Sequence, residues 1–560
     1  MSDSFSPPPP PEFPPVDPTT FDLTIIGTGL SQSIIAAAAS TAGKSVLHLD
    51  PNPFYGSHFS SLSPPELSSH LLSPPLQPQT PPISEEYDVV SLSSKSLYSD
   101  VEIPPFPAEL GDCIRRFCFD VSGPRVLFCA DSAIDLLLKS GVNNYLEFKG
   151  VDASLIYDGE KKGFSSVPGS RAAIFKDKSL SLIEKRTLME FFKLVQKHMG
   201  GESEDVISEE DLESPFIDFL NKFRLNNNPL NQKIKWIILY AIALADYDQE
   251  NLEVCKDLLK TKDGINRLAL YHSSIGRFPN APGAMLYPMY GQGELPQAFC
   301  RRAAVKGCIY VLRMPVTALL ADKGSGLYKG VRLASGQDIL SQQLLIDPQF
   351  VVPQALTLSK PDGLQGSSQN FIPRGIKKVA RGICITRTSL KSDASNLAIV
   401  YPPRSLYAEQ ATSVRVLQLG SNSAVCPVGM FVLHLSALCD DASQGKKILN
   451  AAINTLFEQP TSGSSKLKAP EIPEDKLVDQ SAVTEEEKPA LVWTALYVQE
   501  ITEESVSTIS SSPSPDGNLS YNNLIDTTKK MFEQMFNGEE YFPEEASPED
   551  PDNVEDLGPE

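Results

Sequence analysis

The sequence contains none of the short motifs that mark the common catalytic and metal centres. Among its 560 residues are six histidines and nine cysteines, but there is no CxxC pair and no HExxH motif, which argues against a zinc site. There is also no GxSxG elbow and no GxxxxGK[ST] phosphate loop, so neither the serine hydrolase nor the P-loop class is indicated. The cysteines are odd in number and widely spaced, as in a reduced, cytosolic protein. We predict no metal site and no catalytic residue.

Long apolar runs are missing as well. The longest, residues 236–245, is far shorter than the roughly 20 residues that a membrane-spanning helix needs. The N-terminus is rich in Ser and Pro and does not resemble a signal peptide, and the last four residues, LGPE, offer no prenylation motif. We therefore expect the protein in the cytosol.

Basic residues are outnumbered, with 49 Lys and Arg against 70 Asp and Glu and a net charge of −21. Residues 537–560 carry acids and no base, so much of the excess is local. This balance argues against nucleic acid or an anionic membrane surface as a direct partner.

Residues 21–56 carry the strongest structural signal, FDLTIIGTGLSQSIIAAAASTAGKSVLHLDPNPFYG. An apolar strand at 23–26 leads into a turn with Gly27 and Gly29, then an Ala-rich helix at 33–42 and a second strand that ends at Asp50. This strand–turn–helix–strand unit binds the pyrophosphate of dinucleotides, with the acid on the ribose. The third fingerprint glycine is replaced by Gln32. The pattern alone leaves two possibilities, a flavin or nicotinamide enzyme and a binding protein that inherited such a fold.

Strand patterns lie on either side of a stretch, from about residue 150 to residue 265, whose pattern is helical. We predict the sheet domain at 19–145 and 265–500 and the helical domain at 146–264. The remaining predicted segments are a disordered Pro-rich start at 1–18, a disordered Ser/Pro-rich insert at 57–107, a linker at 459–489, an amphipathic helix at 520–537 and an acidic disordered tail at 538–560.

Within the helical domain, residues 232–245 are apolar nearly all round a predicted helix. The helix contains Trp236, Ile237, Ile238 and Ile242. A plain core helix explains the pattern, and a lipid-lined cavity between helices is the alternative.

Two blocks resemble a known family. GTGL followed by LHLD and NPFYG, and later YPMYGQGELPQAFCR, are similar to the Rab GDP-dissociation inhibitor and Rab escort protein family, and a weaker likeness extends over most of residues 20–540. The resemblance implies an α/β, flavoprotein-like sheet domain of Rossmann type, interrupted by an all-helical domain. It also implies no redox cofactor, so that Gly27, Gly29, Gln32 and Asp50 would be vestiges of a nucleotide site.

Within the family the chain resembles the escort branch, because it has GQGE and FCR in the second block, the insert at 57–107, the linker at 459–489 and the acidic tail. The resemblance implies a non-catalytic protein that binds new, GDP-bound Rab GTPases and presents them to the α/β heterodimer of Rab geranylgeranyltransferase. It would then shield the geranylgeranyl lipid and touch membranes only transiently, on delivery. The alternatives are an inhibitor that recycles prenylated Rab proteins and, less favoured, an FAD-dependent oxidoreductase.

The family's Rab-binding surface is matched at Tyr55, Glu294 and Arg301, and at Ile309 and Val311, where the family has a Thr and a Met. Each of the first three also has a structural explanation, as a turn aromatic, a helix-start acid and a solvated helix face. The lipid or the transferase would meet the helical domain at a second set of residues, Trp236, Ile237, Ile238 and Ile242.

Overall fold

Twenty-five strands and eleven helices are seen in the part of the chain that this computed structural model describes. That part consists of residues 13–78, 84–168, 174–175, 180–200, 207–225, 228–352, 356, 377–458 and 488–543. The predicted α/β class is confirmed, and the Rossmann-type unit is formed by the segment predicted to form it.

The strands, in chain order, are β1 Thr20–Ile26, β2 Val46–Asp50, β3 Ser61–Leu62, β4 Tyr87–Ser91, β5 Ser93–Ser94, β6 Tyr98–Glu102, β7 Phe119–Asp120, β8 Leu127–Phe128, β9 Phe148–Gly150, β10 Ala153–Asp158, β11 Gly163–Ser166, β12 Arg224–Leu225, β13 Asn228–Pro229, β14 Met285–Pro288, β15 Ile309–Leu312, β16 Val316–Asp322, β17 Tyr328–Leu333, β18 Asp338–Ile346, β19 Phe350–Val351, β20 Lys378–Thr386, β21 Leu397–Tyr401, β22 Val414–Gly420, β23 Phe431–Cys439, β24 Leu491–Glu500 and β25 Ile509–Ser511.

The helices are α1 Leu30–Thr41, α2 Pro64–Leu71, α3 Ser132–Lys139, α4 Leu182–Gly200, α5 Glu209–Glu213, α6 Phe216–Lys222, α7 Gln232–Trp236, α8 Thr261–Ser274, α9 Glu294–Val305, α10 Ala442–Leu456 and α11 Asn522–Met535. A π-helical turn spans Ile237–Ile242, and short 3-10 segments include Ser57–Phe59, Val142–Tyr145 and Ser421–Ser423.

The first sheet has the strand order β15-β2-β1-β18-β17-β16-β4, with β25 added to β18. Strands β15, β2, β1 and β18 run parallel, so their carboxyl ends share one edge. Gly27 follows β1 with a φ of 96°, a conformation in which a side chain would be strained. Helix α1 is almost wholly buried and packs between α9 and α11, which fixes α9 relative to the sheet.

The second sheet has the order β11-β10-β21-β22-β23-β20-β24-β6 and is mostly antiparallel. Helix α10 covers one face, where residues such as Ile448 and Leu449 are fully buried. The π-helical turn packs against β10 and β21 as well as α8, which joins the helical segment to this sheet.

The segment 57–107 is not the disordered insert that its composition predicted. Its Ser63–Glu66 pair forms a capping box at the start of α2, with Pro64 at the first helical position, and Leu67 and Leu71 are buried. Further on, β4 pairs with β16 at the edge of the first sheet, and β6 pairs with β24 at the edge of the second. The many Ser and Pro residues of the segment led to a prediction of disorder, although these short elements are present. Residues 79–83 of the segment lie outside the described part.

The helical domain is also narrower at its start than predicted. Residues 148–166 form β9, β10 and β11, and β10 pairs in parallel with β21 of the second sheet. At the other end α8 continues to Ser274. The apolar run at residues 155–157, followed by a polar turn, is a strand signal that lies inside the segment predicted to be helical.

The predicted helix at 232–245 is divided. Helix α7 ends at Trp236, the chain continues as the π-helical turn, and Leu244 has a φ of 55° that ends any helix. The apolar pattern predicts a helix of 3.6 residues per turn, because the wider turns of a π-helix leave no distinct signal in a sequence.

The chain termini are partly ordered within the described residues. Val16 is buried and exchanges hydrogen bonds with Gln337, although 1–18 was predicted to be disordered. Phe542, in the predicted tail, is buried beside Phe299. The predicted disorder of 1–12 and 544–560, and most of the linker 459–489, fall outside the described part. Among the described helices none is long and apolar enough to cross a membrane.

Candidate functional site

The acid that follows the nucleotide-type turn, Asp50, is hydrogen-bonded by groups of its own chain. Asp50 is fully buried at the end of β2 and accepts hydrogen bonds from Thr28 N (2.8 Å), Thr28 Oγ1 (2.6 Å) and Asn52 N (2.8 Å). Ser57 Oγ donates to the same carboxylate at 3.1 Å. Burial raises the pKa of Asp50, and the hydrogen bonds from Thr28 and Asn52 act in the opposite direction. In a dinucleotide site this acid accepts from ribose hydroxyls instead.

The place of the pyrophosphate is filled by two side chains. Gln32 folds back over the turn, so that a Cβ on Gly29 would lie 2.6 Å from Gln32 Oε1. Asp347 lies against Gly27, where a Cβ would be 2.8 Å from Asp347 Cβ, and its Oδ2 accepts from Gln32 Nε2 at 3.4 Å. A carboxylate at this position repels phosphate groups. These residues therefore do not fit a dinucleotide cofactor.

A second polar cluster holds the start of α9. Asp120 on β7 is fully buried and accepts hydrogen bonds from Tyr287 Oη (2.6 Å), Ser61 Oγ (2.6 Å) and Gln292 N (2.9 Å). Ser61 Oγ in turn accepts from Gly293 N at 2.8 Å. Strands β3, β7 and β14 and the loop before α9 thus meet at one carboxylate, which fixes where the helix begins.

The glycines of the YGQGE motif are explained by this cluster. Gly291 has a φ of 112°, and a Cβ there would lie 2.4 Å from Ser61 Oγ; a Cβ on Gly293 would lie 2.7 Å from Ser61 N. The sequence pattern pointed to neither Ser61 nor Asp120, because Ser61 lies in a Ser/Pro-rich run and Asp120 is in no motif. The usable signal was the pair of glycines around Gln292, which indicates a close backbone approach.

One face of α9 is left to solvent. Glu294 is half-buried at its first position, and Gln297 and Arg301 are exposed along the same side. Burial raises the pKa of Glu294, whose carboxylate has no hydrogen bond or ion pair within the described residues. The Arg301 guanidinium lies over the Tyr145 ring, 4.6 Å from its centre. The structure thus places an acid and an arginine on one helix face, as their spacing of seven residues predicts.

Tyr55 and the edge strand β15 form the neighbouring part of the surface. The Tyr55 ring is half-buried and meets the Tyr310 ring edge-on, with centres 6.1 Å apart. Ile309 and Val311 are half-buried against the core on the opposite face of the sheet from Tyr310. Tyr55 therefore contacts β15 on the side of the sheet that faces α9. Ile309 and Val311 lie on the other side, and they border the predicted Rab-binding surface only because β15 is the terminal strand of the sheet.

The apolar residues predicted in the helical domain are mostly enclosed. Ile237, Ile238 and Ile242 are almost inaccessible to solvent, and Trp236 is half-buried. Ile242 faces a cavity of about 360 Å³, and Trp236 faces one of about 100 Å³. The larger cavity also contains Arg267 and other charged side chains, so its wall is only partly apolar. Ile237 and Ile238 are buried in the core of the chain.

Comparison with known proteins extends these observations over the whole chain. The chain is 54% identical to Rab escort protein 1 of Arabidopsis thaliana over 559 residues, which is 96% of each protein. It is 31% identical to the Rab proteins geranylgeranyltransferase component A of Drosophila melanogaster over 449 residues, 79% of this chain and 78% of the relative. The crystal structure of a Rab GDI from Plasmodium falciparum superposes with a TM-score of 0.64 and 18% identity, covering 92% of this chain and 98% of its own. That likeness supports the fold alone.

The family model described as "GDP dissociation inhibitor" matches residues 17–80 and 84–459. This match includes the closed nucleotide-type turn, the Asp120 cluster, α9 and β15. The chain belongs to the GDP dissociation inhibitor family.

Proposed function

We propose that this chain works as a Rab escort protein. It binds newly made, GDP-bound Rab GTPases, presents their C-terminal cysteines to the geranylgeranyltransferase heterodimer and carries the prenylated product through the cytosol to a membrane. The identity of 54% with a Rab escort protein across nearly the full length of both chains carries this proposal. The chain itself is an accessory subunit, and the transferase supplies the chemistry.

The GTPase would bind at the surface formed by Tyr55, Glu294 and Arg301, with Ile309 and Val311 at its edge. An aromatic ring, an acid and an arginine are typical of protein–protein anchor sites. Glu294 favours a protein partner over a phosphate, because its carboxylate would repel an anion. The Arg301 side chain is already packed on the Tyr145 ring, so it would lose little conformational entropy when a partner binds.

The lipid would be sheltered by the helical segment. At about 0.8 kcal/mol for each buried CH₂, two twenty-carbon chains in water would cost on the order of 20–30 kcal/mol. Ile237 and Ile238 are closed off from solvent, so we propose that the π-helical turn and α8 separate to admit the lipid. A π-helical turn is often found at functional sites and gives a helix a point at which to rearrange.

Reconstitution tests the function directly. GDP-loaded, unprenylated Rab and geranylgeranyltransferase are mixed with and without this chain, and lipid transfer is measured. Transfer that requires the chain is expected. Extraction of prenylated Rab from membranes without stimulation of transfer would favour the recycling inhibitor instead. A purified protein with stoichiometric flavin absorbance would favour the oxidoreductase.

The lipid site is tested with Ile238→Glu, and with the milder Ile242→Gln because a buried charge is itself destabilising. Both should release prenylated Rab faster than the unmodified chain does. The matched control is Ile453→Gln, at a buried isoleucine on α10. Normal retention in Ile238 and Ile242 variants that melt as the control does would place the lipid elsewhere.

A further inference from the structure

Tyr290, the residue before Gly291, combines two features that do not stabilise the free chain. Its φ of 68° lies in the left-handed region, where residues other than glycine are strained, and the residue is 57% exposed. Within the described residues its ring contacts no other aromatic ring or cation, and its hydroxyl makes no hydrogen bond. Such strain in a non-glycine residue is found most often at functional sites.

The backbone around Tyr290 is anchored on several sides, although the ring itself is free. Four N–H groups within residues 289–293 donate to four different segments of the chain. The bonds are Met289 N to Glu147 O (2.9 Å), Tyr290 N to Ser423 O (3.0 Å), Gln292 N to Asp120 Oδ1 (2.9 Å) and Gly293 N to Ser61 Oγ (2.8 Å). The ring is therefore presented to solvent from a fixed backbone.

Tyr290 is continuous with the surface described above. It lies four residues before Glu294, on the turn that opens α9, where Glu294 N donates to Gly291 O at 3.2 Å. Residues 145–147 link it to the other end of that surface, because Tyr145 carries Arg301 and Glu147 O accepts from Met289 N.

We propose that Tyr290 is a further anchor of the Rab-binding surface. Its ring packs against an apolar side chain of the GTPase, and its hydroxyl bonds to a polar group at the rim. A tyrosine suits this role because it adds a large contact area with few rotatable bonds. This inference rests on the proposed function and adds a residue to its site.

The decisive variant is Tyr290→Gly, because glycine removes the ring and also suits the left-handed backbone. Its melting temperature should stay the same or rise. Its affinity for a GDP-loaded, unprenylated Rab should fall about tenfold or more, as for an interface anchor. Tyr290→Asn, which also tolerates this backbone, should behave alike, and Tyr290→Phe should keep most of the affinity.

The matched control is Lys162→Gly, an exposed residue with a φ of 51° in the turn between β10 and β11. It should have the same effect on melting and none on Rab affinity. Normal affinity in Tyr290→Gly and Tyr290→Asn, together with weak binding by Arg301→Ala, would overturn this inference and leave the proposed function standing. Failure of the unmodified chain to bind Rab would overturn both.

Discussion

The polar groups at the carboxyl edge of the first sheet and those at the start of α9 are in opposite states. At the sheet edge, Asp50 and Asp347 are buried and bonded to groups of the same chain. At the start of α9, Glu294 has no such partner within the described residues, and Tyr290 and Arg301 are exposed. The first region is adapted to hold the fold together, and the second is available to a partner.

This contrast shows how a nucleotide-binding framework can serve another function. The turn, helix and strands of the βαβ unit are intact, but the groups that would contact a dinucleotide bond to one another. Helix α9 packs on the same α1 that such a unit uses to bind pyrophosphate. The framework therefore now positions the helix that carries Glu294 and Arg301, the residues proposed to bind Rab.

The largest effect is expected for Asp50→Ala at the closed edge. The change leaves the buried donors on Thr28, Asn52 and Ser57 without their acceptor, which should lower the free energy of unfolding by about 3–5 kcal/mol. Chemical denaturation measures the loss. Asp88→Ala, at an exposed acid on β4, should shift stability by no more than about 0.5 kcal/mol. Equal effects of the two variants would mean that the Asp50 bonds contribute little.

The closed edge should also respond to acid through His48, which is fully buried on β2. Burial lowers its pKa from 6.5 to about 4, and its Nε2 is 2.6 Å from Gly27 O. Between these pH values the unfolded chain binds a proton that the folded chain does not, so stability falls as the pH falls from 6.5 to about 4. The total is about 3 kcal/mol.

His48→Gln keeps a donor for Gly27 O but does not titrate. Denaturation of this variant at a series of pH values should show a shallower fall across that window than the unmodified chain shows. Identical pH profiles would rule out His48 as a source of the acid sensitivity.

At the open surface, Arg301→Ala should weaken binding of unprenylated Rab by roughly 1–4 kcal/mol and leave the fold unchanged. Titration calorimetry measures the affinity, and circular dichroism checks the fold. Arg387→Ala, at another exposed arginine, is the control. Tyr55→Ala should weaken Rab binding as Arg301→Ala does. The losses of binding free energy in the Tyr55→Ala, Arg301→Ala double variant should be non-additive if both residues touch one Rab segment. Normal affinity in both folded single variants would assign these residues a structural role.

The smallest effect is expected for Tyr145→Leu, which removes the ring beneath Arg301. Loss of this exposed cation–π contact should weaken Rab binding by about 0.5–1 kcal/mol. Tyr145→Phe keeps the ring and should bind normally. A double variant with Arg301→Ala should show no further loss from Tyr145→Leu, since the arginine is then absent. An additional loss would mean that Tyr145 contacts the partner itself.

Local patterns allowed much of the fold to be predicted. Apolar runs and the glycines predicted the βαβ unit, and Glu294 before Pro296 predicted the start of α9. Asp120 could not be predicted, because its role depends on Ser61 and Gln292, which are distant in sequence and meet only in the folded chain. The assignment of Tyr55, Glu294 and Arg301 to Rab binding came from family resemblance and stays a prediction.

The prediction of disorder for segment 57–107 was wrong for a different reason. Its capping box and its short alternating runs are real signals, but each is only a few residues long among many Ser and Pro. Whether such runs form strands depends on the availability of a sheet edge for pairing. The strands that β4 and β6 pair with, β16 and β24, lie more than 200 positions further along the chain.

Those two edge strands have a mechanical consequence. Strand β4 is the terminal strand of the first sheet, paired with β16, and β6 is the terminal strand of the second, paired with β24. Only residues 92–97 separate them, so each strand holds the other close to its binding edge at high effective concentration. Separating the two sheets would require β4 or β6 to detach from its sheet, and the segment from β4 to β6 therefore links the two sheets mechanically.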